Sequence, residues 1–423
     1  MNIPWFIHPF NFAKPFAIAL LLALFGVHSS VNAQESSDLE SGPTPYKLYL
    51  SPLPVIGSNP AYGFFFGAAA SGSMYFGNPQ TTSISNAFLS ANYSTKNQLL
   101  LTLKSNAYTA NNSWYLIGDW RILISSQPTY GLGTGPQNLE GSDFGVGYEN
   151  AELNENKREE PMKFDLYRFY ESFNKRIRPG LYMGLGVYLD RFQNIVDQHL
   201  STDTSAPVLT NHYMHSDKHG FNPEKYTING LSLNFIYDTR DNQSYPYCGQ
   251  FAHSSFRYNS ELLGSDQNSS TWWLEYRAFI GLTKRDPRHV LAFWTYGNFT
   301  TSGTLPYMAL PSLGWDQMSR SGRGYAQGHY RGDDMVYLEA EYRFPLPAVW
   351  ESKPHLFGAT VFAHMTSASS DDNGIALFEY MKPGAGIGLR IMLDKEARTN
   401  LTLDYAWGAD GFSGFYLNMN EYF

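Results

Sequence analysis

Cysteine is all but missing from this 423-residue chain: Cys248 is the single one. No internal disulfide can form, and because Cys248 does not follow the N-terminal leader it is not a lipidation site either. Charge is scarce as well. Asp, Glu, Lys and Arg make up 16% of the residues, against roughly 25% in ordinary soluble domains. The net charge is −8 and no long basic run occurs, which removes the electrostatic footprint of a nucleic-acid binder. Beyond the N-terminus no stretch approaches the ~20 apolar residues that a helical membrane span needs. Gly-x-Ser-x-Gly, His-Glu-x-x-His and a nucleotide-binding glycine loop are also lacking, and with them the local signatures of a serine hydrolase, a zinc protease and a nucleotide enzyme.

What the chain does have is aromatic residues and glycine: 30 Tyr, 29 Phe, 9 Trp and 37 Gly. Mean hydropathy is nonetheless −0.34. A chain poor in charge, rich in Tyr and Gly, and yet not hydrophobic on average fits an all-β transmembrane barrel, whose apolar outer face is averaged against a polar lumen. The N-terminus reads as a secretory signal over residues 1–33: Lys14, an apolar run from Pro15 to Val27, then Val31-Asn32-Ala33 as a small-residue cleavage site. Residues 34–45 are a polar linker with two prolines, and 46–423 form the barrel domain, placed in the bacterial outer membrane after cleavage near Ala33.

Membrane strands must alternate with period 2, because successive side chains meet lipid and lumen by turns while every backbone group is paired. In 335–346, Val336, Leu338, Ala340, Tyr342 and Phe344 share one face and Tyr337, Glu339, Glu341 and Arg343 the other. Segment 398–408 sets Leu401, Leu403, Tyr405 and Trp407 against Thr402, Asp404 and Ala406; 384–394 sets Ile387, Leu389, Ile391 and Leu393 against Gly386, Gly388, Arg390 and Met392. In 229–240, Leu231, Leu233, Phe235 and Tyr237 oppose Ser232, Asn234, Asp238 and Arg240. Further strands are predicted over 63–76, 83–96, 98–109, 114–126, 163–177, 181–195, 250–263, 270–282, 289–302, 355–366 and 413–423. Single-chain bacterial barrels have an even strand number, which points to 142–150 as a sixteenth. Short inner turns then fall at 178–180, 241–249, 283–288 and 395–397, and long outer loops at 196–228, 303–332 and 367–382; the inner connection 127–141 is longer than the rest.

Four stretches carry a family likeness: "PLPVIGSNPAYGFFFGAA" (52–69) with "YGLGTG" (130–135), "GLSLNFIYDTRDNQSYPYCGQF" (230–251), "GRGYAQGHYRGDDMVYLEAEYRFPL" (322–346), and "KPGAGIGLRIMLDKEARTNLTLDYAWG" with the terminal "SGFYLNMNEYF". They resemble the BamA/TamA-like outer-membrane proteins, the bacterial surface antigen family. The resemblance implies that the loop 303–332 folds into the lumen and that Arg323, in the Arg323-Gly324-Tyr325 motif, pairs with acidic groups on the inner wall. A guanidinium offers a planar fork that carboxylates meet bidentately, and Glu339, Glu341, Asp404 and Asp238 are the available partners. It also implies that Phe415, Leu417, Met419 and Phe423 form a C-terminal sorting signal. Two departures stand out. Residues 34–45 leave no room for the periplasmic POTRA domains of the family's assembly members, and His364 stands where the pattern usually has an acidic residue.

The function implied is assisting the insertion of outer-membrane proteins or translocating a substrate, without enzymatic activity, cofactor or metal. Partners would be outer-membrane lipids and lipopolysaccharide, nascent outer-membrane proteins or a separate periplasmic module, and no nucleic acid. A pore plugged by the loop 303–332 is the first alternative. A catalytic triad built from distant strands leaves no local signature, so a barrel-embedded lipid-acting enzyme is the second. Two remaining groups read as structural: Asp238, Arg240 and Asp241 as an ionic cluster at a strand end, and His212, His215 and His219, whose spacings of three and four would on a helix align them for a metal, as solvated residues of a polar outer loop.

Overall fold

Strict alternation of apolar and polar residues allows one face of each strand to meet hydrocarbon and the other to meet its opposite numbers across a lumen, and this pattern sets the architecture. The computed structural model describes residues 44–59, 63–136, 152–153, 159–203, 207–351, 355–395 and 397–423. Sixteen strands form one antiparallel sheet, each paired with the next along the chain. They are β1 Tyr49–Asn59, β2 Gly63–Met74, β3 Ser85–Ser94, β4 Leu99–Tyr108, β5 Trp114–Thr129, β6 Glu160–Arg178, β7 Leu181–Asp197 and β8 Tyr226–Asp238. The second half comprises β9 Gly249–Asn259, β10 Ser269–Gly281, β11 Val290–Ser302, β12 Asp334–Pro345, β13 Phe357–Ala368, β14 Lys382–Asp394, β15 Thr399–Gly408 and β16 Ser413–Met419.

The faces fall as the alternation predicts. On β12, Tyr337, Glu339, Glu341 and Arg343 are buried, while Leu338 is 44% exposed. On β8, Leu231, Leu233, Phe235 and Tyr237 are exposed and Ser232 and Asn234 buried. Continuous exposed Leu, Phe, Trp and Ile on strand after strand would be an aggregation surface in water; against hydrocarbon it is the stable arrangement.

The strand count holds, but one strand is a different one. The expected strand 142–150 lies outside the described residues, as do the leader over 1–33 and residues 34–43 of the linker. β5 pairs directly with β6 in an unbroken register from Trp114↔Lys175 to Thr129↔Glu160, and the sixteenth strand is β1. Its two prolines, Pro52 and Pro54, disguise it, since proline argues against a ladder position. Counting β1 reverses the direction expected for each of β2 to β5. Of the segment 127–141, expected as an overlong inner connection, residues 127–129 end β5 and 130–136 leave it at the outer rim; 137–141 lie outside the described residues. Among the described residues, 130–136 and the long connections 198–225, 303–333 and 369–381 leave the same rim.

The prolines also say which way β1 faces. β1 and β2 stay in register without a break, Pro52↔Ala70 and Pro54↔Ala68 included. A proline nitrogen carries no hydrogen, so the bonded pairs must be at the alternate positions, Ser51↔Ser71 and Leu53↔Ala69 among them. Both ring nitrogens therefore point away from β2, toward the edge on which β16, the other end of the strand order, would close. That edge has lost two donors. Pro52→Ala with Pro54→Ala restores them, at about 0.5–1.5 kcal/mol per hydrogen bond formed. Backbone hydrogen exchange on β16 should slow in this double variant; exchange as fast as in the unsubstituted protein would show that the prolines do not weaken the seam.

Candidate functional site

The connection 303–333 turns inward from the outer rim and occupies the lumen, its tip against β11 to β16 and other parts bonded to Lys104 of β4, Arg121 and Gln127 of β5 and Tyr226 of β8. Its tip is bent by Gly322 and Gly324, with φ of 79° and 102°, a region that side-chain-bearing residues rarely enter. Between them, Arg323 is 1% exposed. Its guanidinium donates to Asp404 Oδ2 at 2.6 Å and to the carboxylates of Glu339 and Glu341. The rings of Phe362 and Tyr422 flank it, with centroids 3.3 and 3.9 Å from the guanidinium carbon.

The backbone of the tip is held as firmly as the side chain. His364 Nε2 donates to the Arg323 carbonyl at 2.6 Å, the Gly324 N–H donates to the Tyr416 hydroxyl at 2.7 Å, and the Ala409 N–H donates to the Tyr325 hydroxyl at 2.7 Å. So the histidine that replaces the family's acidic residue does not leave the loop unheld; it grips the main chain of the motif instead of the guanidinium.

Behind the first carboxylates lies a second row of charge. Arg343 Nε donates to Glu341 at 2.7 Å. Arg390 bridges Asp404 and Glu421, its Nε lying 2.8 Å from Glu421 Oε2. The strands position these groups by parity alone: residues 339, 341 and 343 are successive inward positions of β12, 390 is an inward position of β14 and 404 of β15. Desolvating so many charges offsets much of their mutual attraction, so the network adds little net stability. It specifies where the loop sits, because no other position of Arg323 would satisfy three carboxylates at once.

Of the four partners expected for Arg323, three meet it. Asp238 does not. It lies near the opposite rim, paired with Arg240 at 2.8 Å and accepting from the Tyr108 hydroxyl at 2.7 Å. The expected ionic cluster is split as well, since Asp241 pairs with Arg398 at 2.6 Å in the neighbouring turn. Arg343, Arg390, Glu421, Phe362 and Tyr422 escaped the sequence reading as site residues, although the inward parity of Arg343 and Arg390 is visible in the alternation.

The C-terminal residues do not share a face. Phe415 and Leu417 point outward, 48% and 38% exposed, whereas Met419 and Phe423 are buried. Asn420 has a φ of 65°, which ends β16 and turns the last residues into the lumen. There the Phe423 ring packs 5.2 Å from that of Trp294 and the Arg343 guanidinium lies 5.0 Å from it.

The outer-loop histidines are not simply solvated. Residues Asn211–His219 form a helix, α1, whose N-cap Thr210 accepts from the Tyr213 N–H and whose C-cap is Gly220 at φ 71°. His212 and His215 are buried, and burial holds the His212 imidazole below its ordinary pKa. Burial would raise the Asp372 carboxyl, in the connection 369–381, but the imidazoles of His215 and His219 beside it outweigh burial and hold the group well below the usual carboxylate range. On the side of the lumen away from the Arg323 network, a cavity of about 180 Å³ remains beside the loop, lined by Arg168, Asp190, Arg257, Trp273 and Trp315 among others.

No curated protein matches the sequence significantly. Solved structures do resemble it. One is the crystal structure of BamA from Haemophilus ducreyi lacking POTRA domains 1-3, with 15% identity and a TM-score of 0.51 over 88% of this chain and 69% of that one. Another is CdiB from Escherichia coli, with 11% identity and a TM-score of 0.52 over 90% of this chain and 63% of that one. The chain thus spans about two thirds of the length of each, and at these identities the likeness is one of fold. The sequence itself matches the Omp85 superfamily domain over residues 65–423. With that match over most of its length, and a sixteen-stranded sheet enclosing the loop that bears Arg323, the chain is a bacterial outer-membrane β-barrel and belongs to the Omp85 superfamily.

Proposed function

We propose that the barrel assists the insertion of outer-membrane proteins by offering the edges of β1 and β16 to an incoming strand. One observation carries this reading: the two end strands are poorly matched for closure. β16 has seven residues against eleven in β1, Asn420 turns the chain away from the wall, and Pro52 and Pro54 present no donor on the free side of β1. The prolines keep the seam weak, and the edge of β16, which keeps its unpaired donors and acceptors, is a template for another strand; in lipid the drive to pair it is strong because water cannot substitute. The reading assigns no covalent step and no cofactor.

Depletion of the protein in cells, followed by quantifying folded outer-membrane proteins, tests the proposal. Folded levels should fall, and the Pro52→Ala, Pro54→Ala double variant should restore them less well than the unsubstituted chain. Unchanged levels after depletion would rule the assembly role out. A second reading, translocation or conduction through the lumen, draws on the cavity beside the loop; planar-bilayer recordings before and after deletion of 318–332 separate the two, since large steady steps in the intact protein favour a pore.

A further inference from the structure

Three outer connections meet at His215. His215 and His219, four residues apart, share a face of α1. His215 Nδ1 lies 2.9 Å from Asp372 Oδ2 and His219 Nε2 lies 3.0 Å from Asp372 Oδ1, which joins the connection 198–225 to 369–381. The other nitrogen of His215, Nε2, is 2.9 Å from the carbonyl oxygen of Leu305, in the connection that fills the lumen.

The hydrogen inventory of this arrangement is incomplete. A carbonyl oxygen only accepts, so His215 Nε2 carries the hydrogen; in a neutral imidazole Nδ1 is then a bare lone pair. It faces a carboxylate, which also only accepts. Two lone pairs 2.9 Å apart require a cation between them, either a second proton or a metal ion. Metal sites are built in this way: the ligating histidine donates its remote N–H to a backbone carbonyl, which fixes the tautomer and turns the near nitrogen toward the ion.

The geometry points to the ion. We propose that His215 Nδ1, His219 Nε2 and the Asp372 carboxylate bind a divalent transition-metal ion of the zinc type, which pins the outer connections 198–225 and 369–381 together above the lumen loop. Two imidazoles and a carboxylate are a donor set that zinc takes, with a fourth position left for water. The three ligand atoms lie within 4.8 Å of one another. Metal–nitrogen bonds of about 2.0–2.1 Å put tetrahedral ligands about 3.4 Å apart, so side-chain shifts of about an ångström close the site. The His215 and Asp372 side chains are 1% and 5% exposed and that of His219 is 24% exposed, which combines a shielded site with an entry path. Lys218 Nζ lies 3.0 Å from Asp372 Oδ1 with its side chain 32% exposed. Its long stem lets the ammonium swing into solvent as the ion takes its place.

The test uses the full chain, purified in detergent, stripped with a chelator and titrated with Zn²⁺, then with Co²⁺ as a spectroscopic probe. One equivalent of Zn²⁺ should bind, and Co²⁺ should give the visible absorption of a four-coordinate site that Zn²⁺ abolishes. His219→Ala and Asp372→Asn should each weaken binding by at least about tenfold, while His199→Ala, in the same connection, should not. Heat-modifiable electrophoretic mobility confirms that every variant is a folded barrel. Absence of stoichiometric uptake by the folded chain would leave a proton as the bridging cation and overturn the proposal, as would variants that bind like the unsubstituted protein.

Discussion

Arg323→Gln is expected to release the loop 303–333 from the inner wall and to lower the stability of the closed barrel by about 3–5 kcal/mol, the penalty for breaking a buried charge network from one side. The argument turns on which carboxylate is left alone. Glu341 keeps Arg343 and Asp404 keeps Arg390, but among the described residues Glu339 has Arg323 as its arginine partner and otherwise only the hydroxyl of Tyr337. A buried carboxylate stripped of its cation is the costly product. Arg323→Gln combined with Glu339→Gln should therefore recover a large part of the loss, a coupling that a double-mutant cycle reads directly. Arg323→Lys should rescue only in part, since an ammonium lacks the planar fork that fills the gap between Phe362 and Tyr422 and spans three carboxylates. Denaturant unfolding in detergent gives the free energies, and bilayer conductance reports whether the lumen opens. A shift within about 0.5 kcal/mol, the range of an ordinary surface change, together with unchanged conductance, would mean that the network does not hold the loop.

The wall of this site was legible in the sequence because it depends on parity alone. Once Leu338 and Tyr342 are assigned to lipid, Glu339, Glu341 and Arg343 must face inward, and the same step places Arg390 and Asp404. What parity does not supply is the angular position of one strand around the lumen relative to another. Asp238 has the correct inward parity, yet it sits on β8 near the other rim and never meets Arg323. Nor does a period of two survive a left-handed residue: Asn420 sends Phe423 into the lumen when simple alternation would place it beside Phe415. β1 was hidden for the opposite reason, because its prolines break a rule that applies to central strands and not to an edge. The histidines of α1 show a third kind of gap. Their spacing predicted a shared helix face, but the partner that gives the face a meaning, Asp372, is 153 residues from His219 and no local pattern connects them.

A substitution that leaves every charge in place separates shape from electrostatics at the loop tip. In Gly324→Ala the added Cβ would lie 2.7 Å from the backbone nitrogen of Gly408 and the carbonyl carbon of Trp407, atoms at the end of β15 where the ladder to β14 fixes them. The residue would also carry a side chain at a φ of 102°, a strain of about 1–3 kcal/mol. Neither problem can be relieved by a rotamer change, so the tip must lift from the wall and take Arg323 out of reach of Asp404. Gly322→Ala is the internal control. Its φ of 79° carries comparable strain, but the added Cβ meets side-chain atoms of Leu313 and no strand backbone, and the effect should be smaller. Gly324→Ala should thus reproduce the conductance of Arg323→Gln with the full charge complement present. Because both break the same docked state, the combined variant should be little worse than either alone. Additive losses would mean that the glycine and the arginine serve separate structures, and the idea of a single latch between the loop and the β12–β15 wall would have to be given up.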